Sequence, residues 1–199
     1  MKKIFGTILL FMATVCQAGY FDALNYTKDG VISSGEYTYS VRVSGESVLT
    51  VTGGGADTIT MNDNSFLNVL STTTPASVSY YKGIGSIGLN DDSSLNISGG
   101  AVDTLRLYYD STALLTGGQI YYLASFQTVE TDPHITLVCQ KGWSFFEING
   151  IVEGMDGKWM DGTDFHIEFI NNEDYPLVYK NMNIIPEPAT LALFGLGGL

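Results

Sequence analysis

Short runs of alternating apolar and polar residues fill the middle of the chain. They occur at residues 48–52, 58–61, 66–70, 94–98, 104–108 and 119–123. A period of two with many β-branched residues is typical of strands that have one buried face, and no helical period of 3.6 residues accompanies it. Gly-Gly pairs and Asn- or Asp-rich turns separate the runs. The pattern therefore predicts an all-β fold.

These runs also form an imperfect repeat. Residues 47–61 return as residues 93–107, an offset of 46, and a looser third copy begins at Ser111. A period of this size indicates stacked units, because a single unit cannot bury its apolar face alone. The pattern lapses between residues 71 and 84, where we predict an insertion of about ten residues that stacked units tolerate as a side loop.

The repeat, with its Ser-x-Leu-x-Ile-x-Gly-Gly motif at residues 93–100, resembles right-handed parallel β-helix proteins, in particular the passenger regions of bacterial autotransporters. The resemblance covers residues 46–126. It implies that equivalent residues stack across a parallel ladder, and we expect three such pairs: Leu95 with Ala113, Ile97 with Leu115, and Leu105 with Leu123. A β-sandwich or jelly roll is the alternative, and it would pair neighbouring runs antiparallel.

The repeat ends before Thr128, and strands of another kind follow. Apolar runs at 135–138, 144–148, 165–170 and 177–185 predict an antiparallel β unit that closes the end of the stack. Asn149-Gly150 between two such runs is a strong signal for a two-residue hairpin. The predicted organisation is a signal peptide at 1–18, a β-solenoid at 19–126, a C-terminal β unit at 127–184 and a sorting tail at 185–199.

The sequences at the two ends of the chain predict where the cell delivers the protein. Lys2 and Lys3 precede an apolar segment at 4–15, and small residues then favour cleavage of a secretory signal peptide between Ala18 and Gly19. That apolar segment is too short to cross a bilayer.

At the other end, Pro186-Glu187-Pro188 and the apolar residues after it resemble the PEP-CTERM sorting signal of exported bacterial proteins. The resemblance implies recognition by an exosortase-type membrane enzyme, transient membrane association through the tail, and delivery to the cell surface or the extracellular matrix. The apolar run at 189–199 is shorter than the roughly 20 residues of a membrane span, and no basic cluster follows it within the sequence.

Charge and cysteine content narrow the function classes. The formal net charge is −12, which argues against nucleic acid as a partner because nucleic acid requires a basic surface. Cys139 is the one cysteine left after removal of a signal peptide containing Cys16, so an internal disulfide is excluded in the mature chain. Cys139 lies in an apolar run, where we expect a small buried hydrophobic residue.

Two groups of side chains are candidates for chemistry. Tyr80-Tyr81, Tyr108-Tyr109 and Tyr121-Tyr122 are adjacent tyrosines, of which one in each pair should be exposed, and Tyr108 and Tyr109 are the candidate glycan contacts. Five acids, Glu153, Asp156, Asp161, Asp164 and Glu168, could serve glycoside hydrolysis or bind Ca²⁺.

Turn chemistry weakens the case for the acids. Asp156-Gly157 and Asp161-Gly162 are ordinary turn dipeptides, so we predict no catalytic residue, no metal site and no cofactor. The sequence thus favours an exported, non-enzymatic surface or matrix protein. A polysaccharide-binding module is the alternative, followed by a polysaccharide lyase or hydrolase.

Overall fold

A computed structural model describes residues 20–73, 83–126, 134–171 and 177–186. The predicted signal peptide with its cleavage site at Ala18 and Gly19, the pair Tyr80-Tyr81, and residues 187–199 with Glu187 and Pro188 of the sorting triplet lie outside the described residues.

Within these ranges the chain forms sixteen strands and one short 3₁₀ helix at Val178–Asn181. The first eight strands are β1 (Tyr20–Tyr26), β2 (Gly30–Ile32), β3 (Tyr37–Val43), β4 (Val48–Thr52), β5 (Gly55–Met61), β6 (Phe66–Ser71), β7 (Ile84–Leu89) and β8 (Ser94–Ile97). The others are β9 (Ala101–Tyr108), β10 (Thr112–Leu115), β11 (Gln119–Phe126), β12 (Ile135–Cys139), β13 (Ser144–Ile148), β14 (Ile151–Lys158), β15 (Asp164–Phe169) and β16 (Met182–Pro186).

Successive strands alternate between two sheets. The first sheet has the order β1-β3-β5-β7-β9-β11-β15-β14-β13, and the second has the order β16-β12-β10-β8-β6-β4-β2. Every pairing from β1 to β12 is parallel and joins strands that are two apart in the chain. The fold is therefore all-β with two parallel sheets and an antiparallel edge made by β13, β14 and β15.

The expected stacking pairs are confirmed. Ala113 pairs with Leu95 and Leu115 with Ile97 between β8 and β10. Leu123 pairs with Leu105 between β9 and β11. A jelly roll requires neighbouring runs to pair antiparallel. That pairing is wrong for this region, because each run pairs in parallel with a strand of the next repeat unit.

Buried serines mark the true period of the stack. Ser47, Ser65, Ser93 and Ser111 each precede a strand of the second sheet, and all four are buried. The interval is the same from Ser47 to Ser65 as from Ser93 to Ser111, and it is longer from Ser65 to Ser93. The offset of 46 thus joins one short unit and one long unit. The long unit contains the lapse between residues 71 and 84, which agrees with the predicted insertion.

One hydrophobic core lies between the two sheets. It takes alternate residues from both, for example Leu95 and Ile97 of β8 and Leu105 and Leu107 of β9. Asn96 lies between two buried neighbours and points away from the core, where its Nδ2 donates to Oδ1 of Asn68 at 3.4 Å. The alternation read from the sequence is therefore confirmed for this strand.

Glycine corners connect the second sheet back to the first. Gly100 and Gly118 adopt positive φ angles of 79° and 85°, and the amide of Gln119 donates to the carbonyl of Gly100 at 2.8 Å. A Cβ on Gly118 would come within 3.0 Å of the carbonyl oxygens of Gly99 and Gly100. The two glycine corners therefore stack on each other, and side chains are excluded there by both conformation and space.

The chain after residue 134 continues both sheets. In the second sheet β12 pairs in parallel with β10, and β16 pairs in parallel with β12, so the predicted antiparallel pairing is wrong for the runs at 135–138 and 177–185. In the first sheet β15 pairs in parallel with β11 and antiparallel with β14. Asn149 and Gly150 have φ angles of 55° and 80°, as a type I′ turn requires, so the predicted hairpin is confirmed.

The predicted strand at 177–185 is wrong in its first part. Residues Val178–Asn181 form the 3₁₀ helix, and only Met182–Pro186 is extended. The side chain of Asn171 accepts a bond from the amide of Val178, and the amide of Asn181's side chain donates to Ser125 Oγ at 2.7 Å. These contacts hold the segment in a turn before it joins the second sheet.

Trp159 fills the end of the stack. Its side chain is fully buried, its ring centroid lies 4.4 Å from that of Phe165, and its indole Nε1 donates to the carbonyl of Gly118 at 2.7 Å. The segment containing it is held by a bond from the amide of Trp159 to the carbonyl of Thr163. Trp159 thus joins the antiparallel edge to a glycine corner that lies far from it in sequence.

Candidate functional site

An open cleft of about 610 Å³, the terminal cleft, lies between the start of β11 and the antiparallel edge. It is lined by residues from β11, the turn after β12, the start of β13, and the facing ends of β14 and β15: Gln119, Ile120, Tyr121, Lys141, Gly142, Ser144, Asp156, Gly157, Lys158, Asp164, Phe165 and His166. The antiparallel register sets the charged residues of this edge opposite one another, because Asp156 pairs with His166 and Lys158 with Asp164 across β14 and β15.

His166 lies between two carboxylates. Its Nδ1 is 2.6 Å from Oδ1 of Asp156, and its Nε2 is 3.7 Å from Oε1 of Glu168. The ring of Phe146 stacks on the imidazole, with centroids 5.0 Å apart and planes 8° apart. The hydrogen bond to Asp156 raises the pKa of His166, partial burial opposes this, and the charges of Asp156 and Glu168 add to the increase.

The remaining three acids contact residues other than His166. Asp164 forms an ion pair with Lys158 at the edge of the cleft. Asp161 accepts bonds from the hydroxyl and amide of Thr163, which lower its pKa and hold the turn after Trp159. Glu153 contacts Asn171 beside the β-bulge of β14. The five acids singled out in the sequence therefore have separate roles, and only Asp156 and Glu168 share a partner.

Tyr121 lines the cleft on the β11 side, and Tyr122 follows it in the strand. Tyr121 and Tyr122 are 38% and 39% exposed, and the hydroxyl of Tyr121 donates to Oε1 of Gln119 at 3.1 Å. Tyr122 lies level with Glu168 in the parallel register of β11 and β15. Both rings point away from the core, because the buried residues on either side of them are Ile120 and Leu123.

The candidate glycan contacts Tyr108 and Tyr109 lie at the other end of these strands. The ring of Tyr108 stacks on that of Phe126, with centroids 4.7 Å apart. Tyr109 is 68% exposed and occupies the position of positive φ in a four-residue turn, which Asp63 and Asp91 occupy in earlier turns. The structure therefore does not bring Tyr108 and Tyr109 into the terminal cleft, whereas Tyr121 lines it.

Other predicted positions are placed as follows. Cys139 is fully buried, burial raises the pKa of its thiol, and its backbone forms a bridge with Trp159. Pro186 is exposed at the end of β16.

In the described ranges no group of three or more His, Cys, Asp or Glu side chains could hold a metal ion. Nor does any helix among them have the length and apolar character of a membrane span.

We expect the charge on His166 to make part of the stability depend on pH. Its pKa in the folded chain is raised above the unfolded value of about 6.5, so the charged imidazole stabilises the fold fully below about pH 6.5. That contribution is lost as the pH rises through the folded pKa. Urea midpoints measured from pH 5 upward should fall over this window in the native chain and less steeply in His166→Gln. Equal slopes of urea midpoint against pH in the native chain and in His166→Gln would contradict a stabilising pairing of His166. His134→Gln is the control.

Comparison of the chain with protein-family models, with curated proteins and with solved structures gave no match. The function must therefore be inferred from the chemistry of the site, since a fold by itself does not define an activity.

Proposed function

We propose that the protein is an exported, non-enzymatic β-helix protein that binds polysaccharide through the terminal cleft. The β-helix part of the proposal is supported by the alternation of strands between two parallel sheets and by the parallel register of successive repeat units. A flat parallel surface of this kind displays side chains at intervals of about 4.8 Å in the direction across the strands.

Glycan binding is supported by the exposed ring of Tyr121 beside the charged groups of the cleft. An aromatic ring offers an apolar face to the C–H face of a sugar, and a phenol adds a hydrogen-bonding group. Asp156, His166 and Lys158 lie within the same cleft and can bond to sugar hydroxyls. This combination of one aromatic platform with convergent polar groups is the observation that carries the proposal.

Binding without cleavage is supported by the way the acids are paired. Glycoside hydrolysis needs one carboxylic acid to protonate the leaving group and one carboxylate on the other side of the bond. Here Asp156 and Glu168 face the two nitrogens of one imidazole, and Asp164 faces Lys158. Each of these carboxylates is thus engaged with a nitrogen partner rather than held as one of an acid and base pair across a glycosidic bond.

The cell surface or extracellular matrix is the proposed location. It is supported by the signal-peptide pattern at residues 1–18 and by the PEP-CTERM-like tail, for which an exosortase-type enzyme is the proposed partner. Measuring the mass of the secreted protein tests this proposed location. A mature chain that begins at Gly19 would support it, and an intact Met1 or a lipid on Cys16 would contradict it.

We expect Tyr121→Ala to weaken binding to a glycan array by about tenfold or more, because an aromatic anchor is lost from the cleft. Tyr109→Ala is the matched control, since it removes an equally large and more exposed ring at the far end of the strands. The same samples should release no reducing ends from bound glycans. Equal binding by both variants would contradict the cleft as the site, and release of reducing ends that Asp156→Asn abolishes would show an enzyme instead.

A further inference from the structure

A column of outward-facing residues leads away from the terminal cleft across the first sheet. In β5 the buried residues Ala56 and Ile59 are three apart, so both residues between them point outward. The same spacing separates Val102 from Leu105 in β9. The register aligns one residue from each strand into a single column, in which Gly85 is itself buried: Tyr39, Asp57, Gly85, Asp103 and Tyr121.

The column contains a second groove where it passes β7. Gly85 has no side chain, and the space above it, about 290 Å³, is bounded by Asp57 and Asp103 on either side. Tyr39, which is 59% exposed, closes one end. Tyr121 lies one strand beyond Asp103 and lines the terminal cleft, so the groove and the cleft follow one line across the strands.

The polar groups of this groove are held in place by their neighbours. The hydroxyl of Tyr37 donates to Oδ1 of Asp57, and that of Thr104 donates to Oδ2 of Asp103 at 3.1 Å. Arg106 donates from Nη1 to the hydroxyl of Ser86 at 2.8 Å. A carboxylate has about four acceptor positions, so both acids retain acceptor capacity toward a ligand that donates hydrogen bonds.

The charge of the groove selects among ligands. Two carboxylates and one guanidinium line it, and the whole chain carries a formal charge of −12. This excess of negative charge repels uronic or sulfated chains and favours ligands that donate hydrogen bonds from hydroxyl groups. From Tyr39 to Tyr121 the column spans four strand spacings, or about 19 Å, which a linear chain of several sugar residues could follow.

We propose that this column is an extended binding track for a linear, neutral polysaccharide, with the Gly85 groove as a second subsite beyond the terminal cleft. The inference rests on the proposed glycan binding, and it adds the class of ligand, its direction across the strands and the residues of the second subsite. Affinity should therefore rise with the length of the ligand until it spans both sites.

Gly85→Asn tests the track by filling the groove without adding charge. Gly85 does not adopt a positive φ, and the equivalent positions in the neighbouring strands carry Asp, so an asparagine side chain suits the backbone there. Gly88→Asn is the matched control on the same strand, because a Cβ at Gly88 meets no atom within 4 Å and Gly88 does not line the groove. Tyr39→Ala removes an exposed side chain and serves as a second variant that does not depend on the folding of the first.

Calorimetric titrations with cellobiose, cellohexaose, mannohexaose and hexagalacturonate measure the effect. We expect at least one neutral hexaose to bind the native chain more tightly than cellobiose and hexagalacturonate do. Gly85→Asn and Tyr39→Ala should each weaken the affinity for that hexaose by about tenfold and leave the affinity for cellobiose unchanged. Gly88→Asn should change neither affinity.

The outcomes separate this inference from the function on which it rests. If Tyr121→Ala abolishes hexaose binding but Gly85→Asn and Tyr39→Ala do not weaken it, the track is refuted and the terminal cleft remains a glycan site. Preferential binding of hexagalacturonate would also refute the track. If none of these oligosaccharides binds, or if Tyr121→Ala has no effect on any of them, both the track and the proposed function fail.

Discussion

Trp159→Ala is expected to lower the free energy of unfolding by about 3–5 kcal/mol, the range found for truncation of large buried aromatic residues. The side chain is fully buried against Phe165, so its removal leaves a cavity at the end of the core. It also leaves the carbonyl of Gly118 without its indole donor. Urea denaturation followed by far-ultraviolet circular dichroism should show the midpoint moving to lower urea concentration.

Met160→Ala is the control for this prediction. Met160 is the next residue and is 38% exposed, so its truncation should change the free energy of unfolding by no more than about 0.5 kcal/mol. Similar losses in both variants would mean that the turn itself, rather than the buried indole, stabilises the end of the stack. A Trp159→Phe variant separates the two contributions further, because it retains most of the ring volume but has no indole N–H donor.

Leu95→Asp is expected to prevent cooperative folding of the parallel sheets. Leu95 is 2% exposed and pairs with Leu67 and Ala113 on its two sides. The substitution loses roughly 1.5–3 kcal/mol of hydrophobic stabilisation, and burying an unpaired carboxylate costs several kcal/mol more. A domain of this size is stable by only about 5–15 kcal/mol. Loss of the cooperative urea transition and rapid proteolysis would be the expected readouts.

Asn96→Asp supplies the matched control on the adjacent residue. Asn96 faces outward, and its side-chain amide donates to the polar side chain of Asn68. A carboxylate there remains in contact with solvent, so we expect a small change in the urea midpoint. If Asn96→Asp were as damaging as Leu95→Asp, the assignment of inward and outward faces on β8 would be wrong.

Several features of the fold could be predicted from local sequence alone. The alternation around Leu95 and Ile97 defines which face of β8 is buried, because side chains of a strand alternate between its two faces. The repeat predicted parallel stacking, since equivalent residues meet equivalent neighbours. Asn149-Gly150 predicted the hairpin because both residues readily adopt positive φ. Each of these depends on conformational preferences or spacing within a few dozen residues.

The candidate site depended on contacts that no local pattern encodes. His166 meets Asp156 only because the antiparallel register of β14 and β15 pairs them, whereas Glu168 lies two residues from His166 on the same face of β15. Tyr108 and Tyr121 look alike in sequence, yet only Tyr121 lines the terminal cleft, because the two residues lie at opposite ends of adjacent strands. The one sequence signal that could have separated them is the Asn- or Asp-rich turn pattern, which places Tyr109 at a turn.

The sequence by itself thus determined the class of structure: strands, their inward faces, the repeat and the hairpin, all of which follow from side-chain periodicity and turn chemistry. Only the tertiary structure decided which distant residues are neighbours. The column from Tyr39 to Tyr121 arises from the register of five strands, and Trp159 reaches Gly118 across a long separation in sequence. Such contacts are set by how the chain packs as a whole, because register and burial are properties of the assembled sheets rather than of any one segment.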